Sequence, residues 1–206
     1  RITASSLSEP VQFLTNSEIP ETFTLLVRGT IRWLLNYKAF IDNKEYVDHW
    51  ESWVETDTDF HWRVDSTQRV THTGLVQDQE YLFAFTAEKI GTKVTIKLGV
   101  DGAYVDTNSL GDWIAPPTNG LWFGGANAGN QRSSNEYNDV LLFDKVLSDA
   151  ELLDAYNDFD GFFGVGGGAT NNIKVGSQTV LGVKYYNGVS LVDVEMKMGS
   201  DLIWKV

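Results

Sequence analysis

The chain has 206 residues, with 28 acidic against 16 basic side chains and a formal net charge of -12. That charge excludes nucleic acid as a partner, since nothing neutralises phosphates, and it argues equally against anionic membrane surfaces. The chain contains no cysteine, which removes disulfides and thiolate metal sites, and no apolar run approaches the ~20 residues of a membrane span.

The length suits one domain of moderate size, or one with a small appendage, and is enough to bury a real core. Aromatics make up 13% of the chain (7 Trp, 8 Tyr, 11 Phe), a level common in sugar binders. Arg1 stands where a methionine would open a gene product, so any targeting signal is expected to precede it.

Taken in order, residues 1–20 form a polar lead-in whose Leu7, Val11, Phe13 and Leu14 are available to pair at a sheet edge. Thr22 to Arg28 alternates, with Phe23, Leu25 and Val27 on one face, and Thr30 to Leu35 repeats the pattern with Ile31, Trp33 and Leu35. Both read as strands. Between Asp42 and Asp65 lie eight acids against Lys44 and Arg63, half of the whole net charge, together with Trp50, Trp53 and Trp62. If Trp50 to Asp59 is extended, period two puts Glu51, Trp53, Glu55, Asp57 and Asp59 on one face and Trp50, Ser52 and Val54 on the other. In the next strand Phe60, Trp62 and Val64 then face in, leaving His61 and Arg63 outside.

Tyr81 to Phe85 and Lys93 to Val100 are the clearest strands, the second with Val94, Ile96, Leu98 and Val100 inward. Asp101-Gly102 predicts a hairpin turn, and Pro116-Pro117 breaks the chain. Leu121 to Phe123 is a short strand ended by Gly124-Gly125. A polar loop from Ala126 to Asn138 leads to a strand over Val140 to Phe143. Ser148 and Glu151 form a capping box, with Leu147 and Leu152 at staple spacing, so a helix starts there. Leu152, Leu153 and Tyr156 are expected to lay it against a sheet. One helix among recurring strands predicts an all-β sandwich.

Phe123-Gly124-Gly125, Asn138 to Asp144, the Leu147 to Leu152 helix start and the Gly99 to Val105 hairpin together resemble the laminin-G-like domain, a member of the concanavalin A-like lectins and glucanases. The resemblance covers about residues 10–160. It implies a two-sheet antiparallel jelly-roll sandwich with one short helix. That fold hosts lectins, hydrolases and adhesion modules, so function has to come from the site.

After Asp160 the composition changes. Residues 161–172 are glycine-rich and read as a linker, dividing a sandwich over 1–160 from a small β-repeat appendage over 173–206. In the appendage, turns at Gly176, Asn187 and Gly199 are each followed by apolar residues four and seven positions on. This repeat is similar to C-terminal segments of tail and baseplate proteins from phages of Gram-positive bacteria. That similarity implies a virion, extracellular setting, with other tail or baseplate proteins as partners.

A sheet face with a tryptophan beside carboxylates and a cation suits a saccharide: indole stacks on the apolar face of a pyranose while charged groups bond its hydroxyls in pairs. The expected carbohydrate-binding residues are Trp53, Glu55, Asp57, His61 and Arg63, with Trp113 at a loop tip and Asn130 and Arg132 in the polar loop. Trp50 and Trp62 read as core, and burial remains the alternative for Trp53. The partner implied is a cell-surface saccharide, and the reading is non-catalytic.

Two alternatives stand. Glu55-x-Asp57-x-Asp59 resembles the laminarinase-type triplet, in which Glu55 would be nucleophile and Asp59 acid/base, but Asp59 is a methylene shorter than the glutamate usual there. A structural or protein-binding adhesion domain is the other. No cofactor is assigned. Asp57, Asp59, Asp106, Asn108 and Asp112 could donate oxygens to Ca²⁺ without forming a recognisable loop, and His49, His61 and His72 lack zinc spacing.

Overall fold

The computed structural model describes residues 11–14, 16–32, 38–43, 50–55, 58–64, 69–118, 120–124, 135–159, 180–186 and 191–194. Thirteen strands are present among them. They are β1 (Val11–Leu14), β2 (Thr22–Thr30), β3 (Lys38–Asp42), β4 (Glu51–Val54), β5 (Phe60–Arg63), β6 (Arg69–His72) and β7 (Glu80–Ile90). The rest are β8 (Lys93–Val100), β9 (Ala103–Asp112), β10 (Leu121–Phe123), β11 (Glu136–Phe143), β12 (Val180–Tyr186) and β13 (Leu191–Val194). The described α-helix, α1, spans Asp149–Asn157.

Two antiparallel sheets face each other. One has the order β1-β10-β3-β4-β5-β6, the other β13-β12-β11-β2-β7-β8-β9. The molecule is thus an all-β jelly-roll sandwich. The polar lead-in does supply an edge, since β1 pairs with β10. Asp101 and Gly102 both take positive φ, 49° and 87°, as a tight two-residue hairpin between right-twisted strands demands. At Gly102 a Cβ would also lie 2.8 Å from Cβ of Tyr156, so the turn and the helix can meet there only through glycine. The strand expected from Thr30 to Leu35 does not start there, since Thr30 ends β2 and Ile31 and Arg32 are outside any strand; Trp33, Leu34 and Leu35 and all of the Gly-rich linker lie outside the described residues.

The core between the sheets is aromatic. Trp50, Trp62, Phe23, Phe40, Phe60, Phe83, Phe85 and Tyr137 are all fully buried, with neighbouring rings such as Phe60 and Phe83 at 4.7 Å and Phe40 and Tyr137 at 4.7 Å. Two polar tips in this core bond from one sheet to the other. Trp62 Nε1 donates to Thr86 O at 3.0 Å, joining β5 to β7. Tyr137 Oη donates to Phe40 O at 2.8 Å, joining β11 to β3, and accepts from Gly124 N at 3.1 Å.

A second apolar cluster covers the outer face of the seven-stranded sheet: Leu26, Leu82, Ala84, Leu141 and Phe143 beneath Leu147, Leu152 and Ala155 of the helix and its approach. This is why β2 and β7 are buried on both faces instead of alternating. The capping box forms as the spacing predicts, with Glu151 N donating to Ser148 Oγ at 3.3 Å and Ser148 N to Glu151 Oε2 at 2.9 Å. The buried stripe differs from the expectation: Leu152 and Ala155 face the sheet, whereas Leu153 and Tyr156 are about half exposed. Residues three apart share a helix face, and the staple fixes Leu152 as the inward one.

The last two described strands extend the same sheet, β12 pairing with β11 and β13 with β12. The division at residues 161–172 is retained as a proposal with a direct test. A chain ending at Asp160 should still unfold in one cooperative thermal transition, although β11 then becomes an edge. A truncated protein without β-type circular dichroism would show that the appendage belongs to the sandwich.

Candidate saccharide site on the outer sheet face

Among the described residues, no helix covers the outer face of the six-stranded sheet, and β4 and β5 turn their polar parity towards it. Phe60, Trp62, Val64, Trp50 and Val54 belong to the core cluster, so the side chains between them, Glu51, Trp53, His61 and Arg63, point the other way. The face assignment read from period two is the one observed. Trp50 is not part of the strand: its φ of 58° places it in a bend before β4.

Cross-strand register then assembles the group. Glu51 lies opposite Arg63, and Trp53 opposite His61. Arg63 Nε donates to Glu51 Oε1 at 2.9 Å, a second nitrogen reaches the same oxygen, and the guanidinium carbon stands 4.7 Å over the Trp53 ring. Trp53 also meets His61 at 4.9 Å. Trp53 is therefore only 7% exposed. The sequence expectation of an open indole is not what the structure presents: its own cross-strand neighbours cover it.

His61 is 2% exposed. Its Nδ1 is 2.8 Å from Thr71 Oγ1, and its Nε2 lies 2.8 Å from Glu55 Oε2 but out of line for a hydrogen bond. Arg69 Nη1 donates to that same Glu55 oxygen at 2.6 Å. Burial lowers the His61 pKa, Arg69 lowers it further, and Glu55 only partly opposes this. The imidazole is thus held neutral, and the two acids balance the two arginines. Two buried nitrogens, Trp53 Nε1 and His61 Nε2, have no hydrogen-bond partner. Buried donors are paired in the great majority of cases, so Trp53 Nε1 marks a place where an incoming oxygen has something to gain, whereas His61 Nε2 already has the Glu55 carboxylate 2.8 Å away.

The neutral His61 gives a pH prediction. A histidine whose folded pKa is depressed stabilises the fold fully above its unfolded value, and that contribution is lost as pH falls from about 6.5 towards the folded value. Thermal melts should show stability falling as pH drops through that window. His61→Gln should flatten part of the slope; His72, whose pKa burial also lowers, contributes to what remains. An unchanged slope in His61→Gln would show that the imidazole titrates alike in the folded and unfolded chains, and a steeper one that it is charged in the fold.

The other expected residues do not all join this group. Trp113 is half-buried, packs against the core and meets Trp50 edge-on at 5.6 Å, with Lys89 over its ring at 5.4 Å. It is not a loop tip. Asp57, Asn130 and Arg132 lie outside the described residues. Arg69 and Thr71 were not anticipated, because β6 is four residues of weak pattern and only register brings it beside β5.

The acidic triplet does not lie along one strand. β4 ends at Val54, and Glu55 N donates to Asp59 O at 2.9 Å, closing a turn. Of the oxygen donors considered for Ca²⁺, Asp106 accepts from Thr71 N and Thr107 N, each at 2.8 Å, and Asp112 pairs with Lys93. Among the described residues no three His, Cys, Asp or Glu side chains are grouped to hold a metal, and no helix is long and apolar enough to cross a membrane.

The sandwich class is shared with solved structures. A protein from Bacteroides ovatus assigned to carbohydrate binding superposes over 65% of this chain and 40% of its own, with a TM-score of 0.51 and 15% identity. The receptor-binding domain of botulinum neurotoxin type G matches over 66% of this chain and 38% of its own, with a TM-score of 0.50 and 13% identity. A Trypanosoma rangeli sialidase mutant with trans-sialidase activity matches over 68% and 23%, with a TM-score of 0.50 and 14% identity. The chain spans less than half the length of each, and at these identities the likeness concerns the fold alone. No protein-family model and no curated protein sequence matches the chain.

Proposed function

We propose that this chain is a non-catalytic carbohydrate-binding module that uses the outer face of its six-stranded sheet. The observation that carries the proposal is the Trp53 group: an indole beside paired charges, whose buried Nε1 has no hydrogen-bond partner. A saccharide ring that displaces the Arg63 guanidinium exchanges a cation–π contact for stacking on the indole, and one of its oxygens can accept from Trp53 Nε1. The first two structural neighbours, one assigned to carbohydrate binding and one a receptor-binding domain, agree with this reading. The setting proposed with it is a phage tail or baseplate adhering to the wall saccharide of a Gram-positive host, on the strength of the sequence similarity of the C-terminal repeat.

The test is a glycan array, together with adsorption to purified Gram-positive walls. Retention on at least one neutral saccharide surface is expected, and retention on none overturns the reading. No new reducing ends should appear when the protein is incubated with β-glucans or wall polysaccharide. Their release, abolished by Glu55→Gln, would establish the hydrolase instead.

A further inference from the structure

We infer that this face takes a linear oligosaccharide laid across the strands, not a single terminal sugar, with Trp122 as a second stacking platform. The inference rests on the saccharide reading above and extends it to a part of the sheet that the Trp53 group does not reach.

Trp122 is half-buried, while Leu121 and Phe123 on either side of it belong to the core. Its indole is therefore turned to the outer face. Antiparallel partners share a face, so register defines what lies in line with it. Trp122 is opposite Asp42, and the pairing of Ile41 with Ser52 sets Asp42 beside Glu51. Glu51 is opposite Arg63, and Arg63 opposite Arg69.

These residues form one row across β10, β3, β4, β5 and β6. Four strand spacings make it about 19 Å long, more than one sugar ring can cover. Trp122 stands two spacings, about 10 Å, from the strand that carries Trp53. Asp42, at 4% exposure, bonds Asn43 N at 2.7 Å and lies within the face rather than on it. Contact along the row then falls to Trp122 at one end and to the Glu51–Arg63 pair and Arg69 at the other. Trp53, with its unpartnered Nε1, and His61 occupy the adjoining row. Because Glu51 and Arg63 pair within the row and Arg69 pairs with Glu55 beside it, an uncharged sugar chain fits it better than an acidic one.

The experiment uses native gels containing barley β-glucan, konjac glucomannan, dextran or purified Gram-positive wall polysaccharide. Oligosaccharides of one to six sugars, cut from whichever polymer retards the protein, are then titrated by calorimetry. Affinity should rise at least tenfold from one sugar to three and be insensitive to added salt. Trp122→Ala should remove roughly tenfold from the longer ligands and leave the monosaccharide unchanged, whereas Trp122→Tyr should keep the gain. A flat length series in the unaltered protein overturns this inference alone and leaves the saccharide reading standing. An unchanged length dependence in folded Trp122→Ala does the same. Retardation by none of the polymers overturns both.

Discussion

Trp62→Ala is expected to lower stability by about 3–5 kcal/mol, the usual cost of deleting a large aromatic from a packed core. Trp62 is fully buried. Its ring meets Phe85 at 5.4 Å and Phe23 and Trp50 edge-on at 6.5 Å. The truncation empties that volume and also removes the indole donor to Thr86 O, a lost buried hydrogen bond that adds to the cavity cost. For a chain of this size each kcal/mol shifts the midpoint by roughly 2–4 °C, so the melting temperature should fall by about 10 °C. Urea unfolding measures it directly. A loss under about 1 kcal/mol would mean that Trp62 does not sit between the sheets.

Trp53→Ala should act on both stability and binding. Read from its parity alone, Trp53 is a solvent-facing platform whose loss empties no packed volume. In the structure it is covered by Arg63 and His61, so truncation removes buried aromatic area and should cost roughly 2–3 kcal/mol. Binding to wall polysaccharide should fall about tenfold or more as stacking and the Nε1 donor are lost together. Trp53→Phe separates the two effects. It retains most of the volume, so stability should nearly recover, while affinity stays reduced by the missing donor. Melts and binding isotherms on both variants are the measurement. Full affinity in a folded Trp53→Ala protein would move the site off this face.

What the sequence disclosed follows from how local each signal is. Lys93 to Val100, the Asp101-Gly102 turn, Leu121 to Phe123 and the Ser148 cap are written within a few consecutive residues, and each appears where the pattern places it. The inward and outward parity of Trp53, Trp62, His61 and Arg63 is local in the same sense. What lies across a strand is not local. That Arg63 covers Trp53, that Arg69 reaches Glu55 and that Trp122 lines up with Glu51 depend on register, and a slip by one residue would turn every side chain to the opposite face. Trp113 failed as a loop tip for a similar reason. Its neighbours Trp50 and Lys89 are distant in sequence, and polar surroundings such as Gly111-Asp112 do not reveal them. The Glu55 to Asp59 triplet reads as one strand only while the turn closed by Glu55 N and Asp59 O goes unseen.

The two core hydrogen bonds that run between sheets, Trp62 to Thr86 and Tyr137 to Phe40, also define a mechanical load path. A saccharide held on the six-stranded sheet as proposed would pull on one layer, while the chain's last described strands belong to the other. Tension between such a ligand and β13 would therefore pass through the aromatic layer and load both bonds, with the rings around them. Elements loaded side by side share force, whereas strands peeled from an edge break one at a time. A module built this way should resist steady traction until the layers part together, and a single-molecule pull on Tyr137→Phe should yield at lower force with the ligand-binding face unchanged.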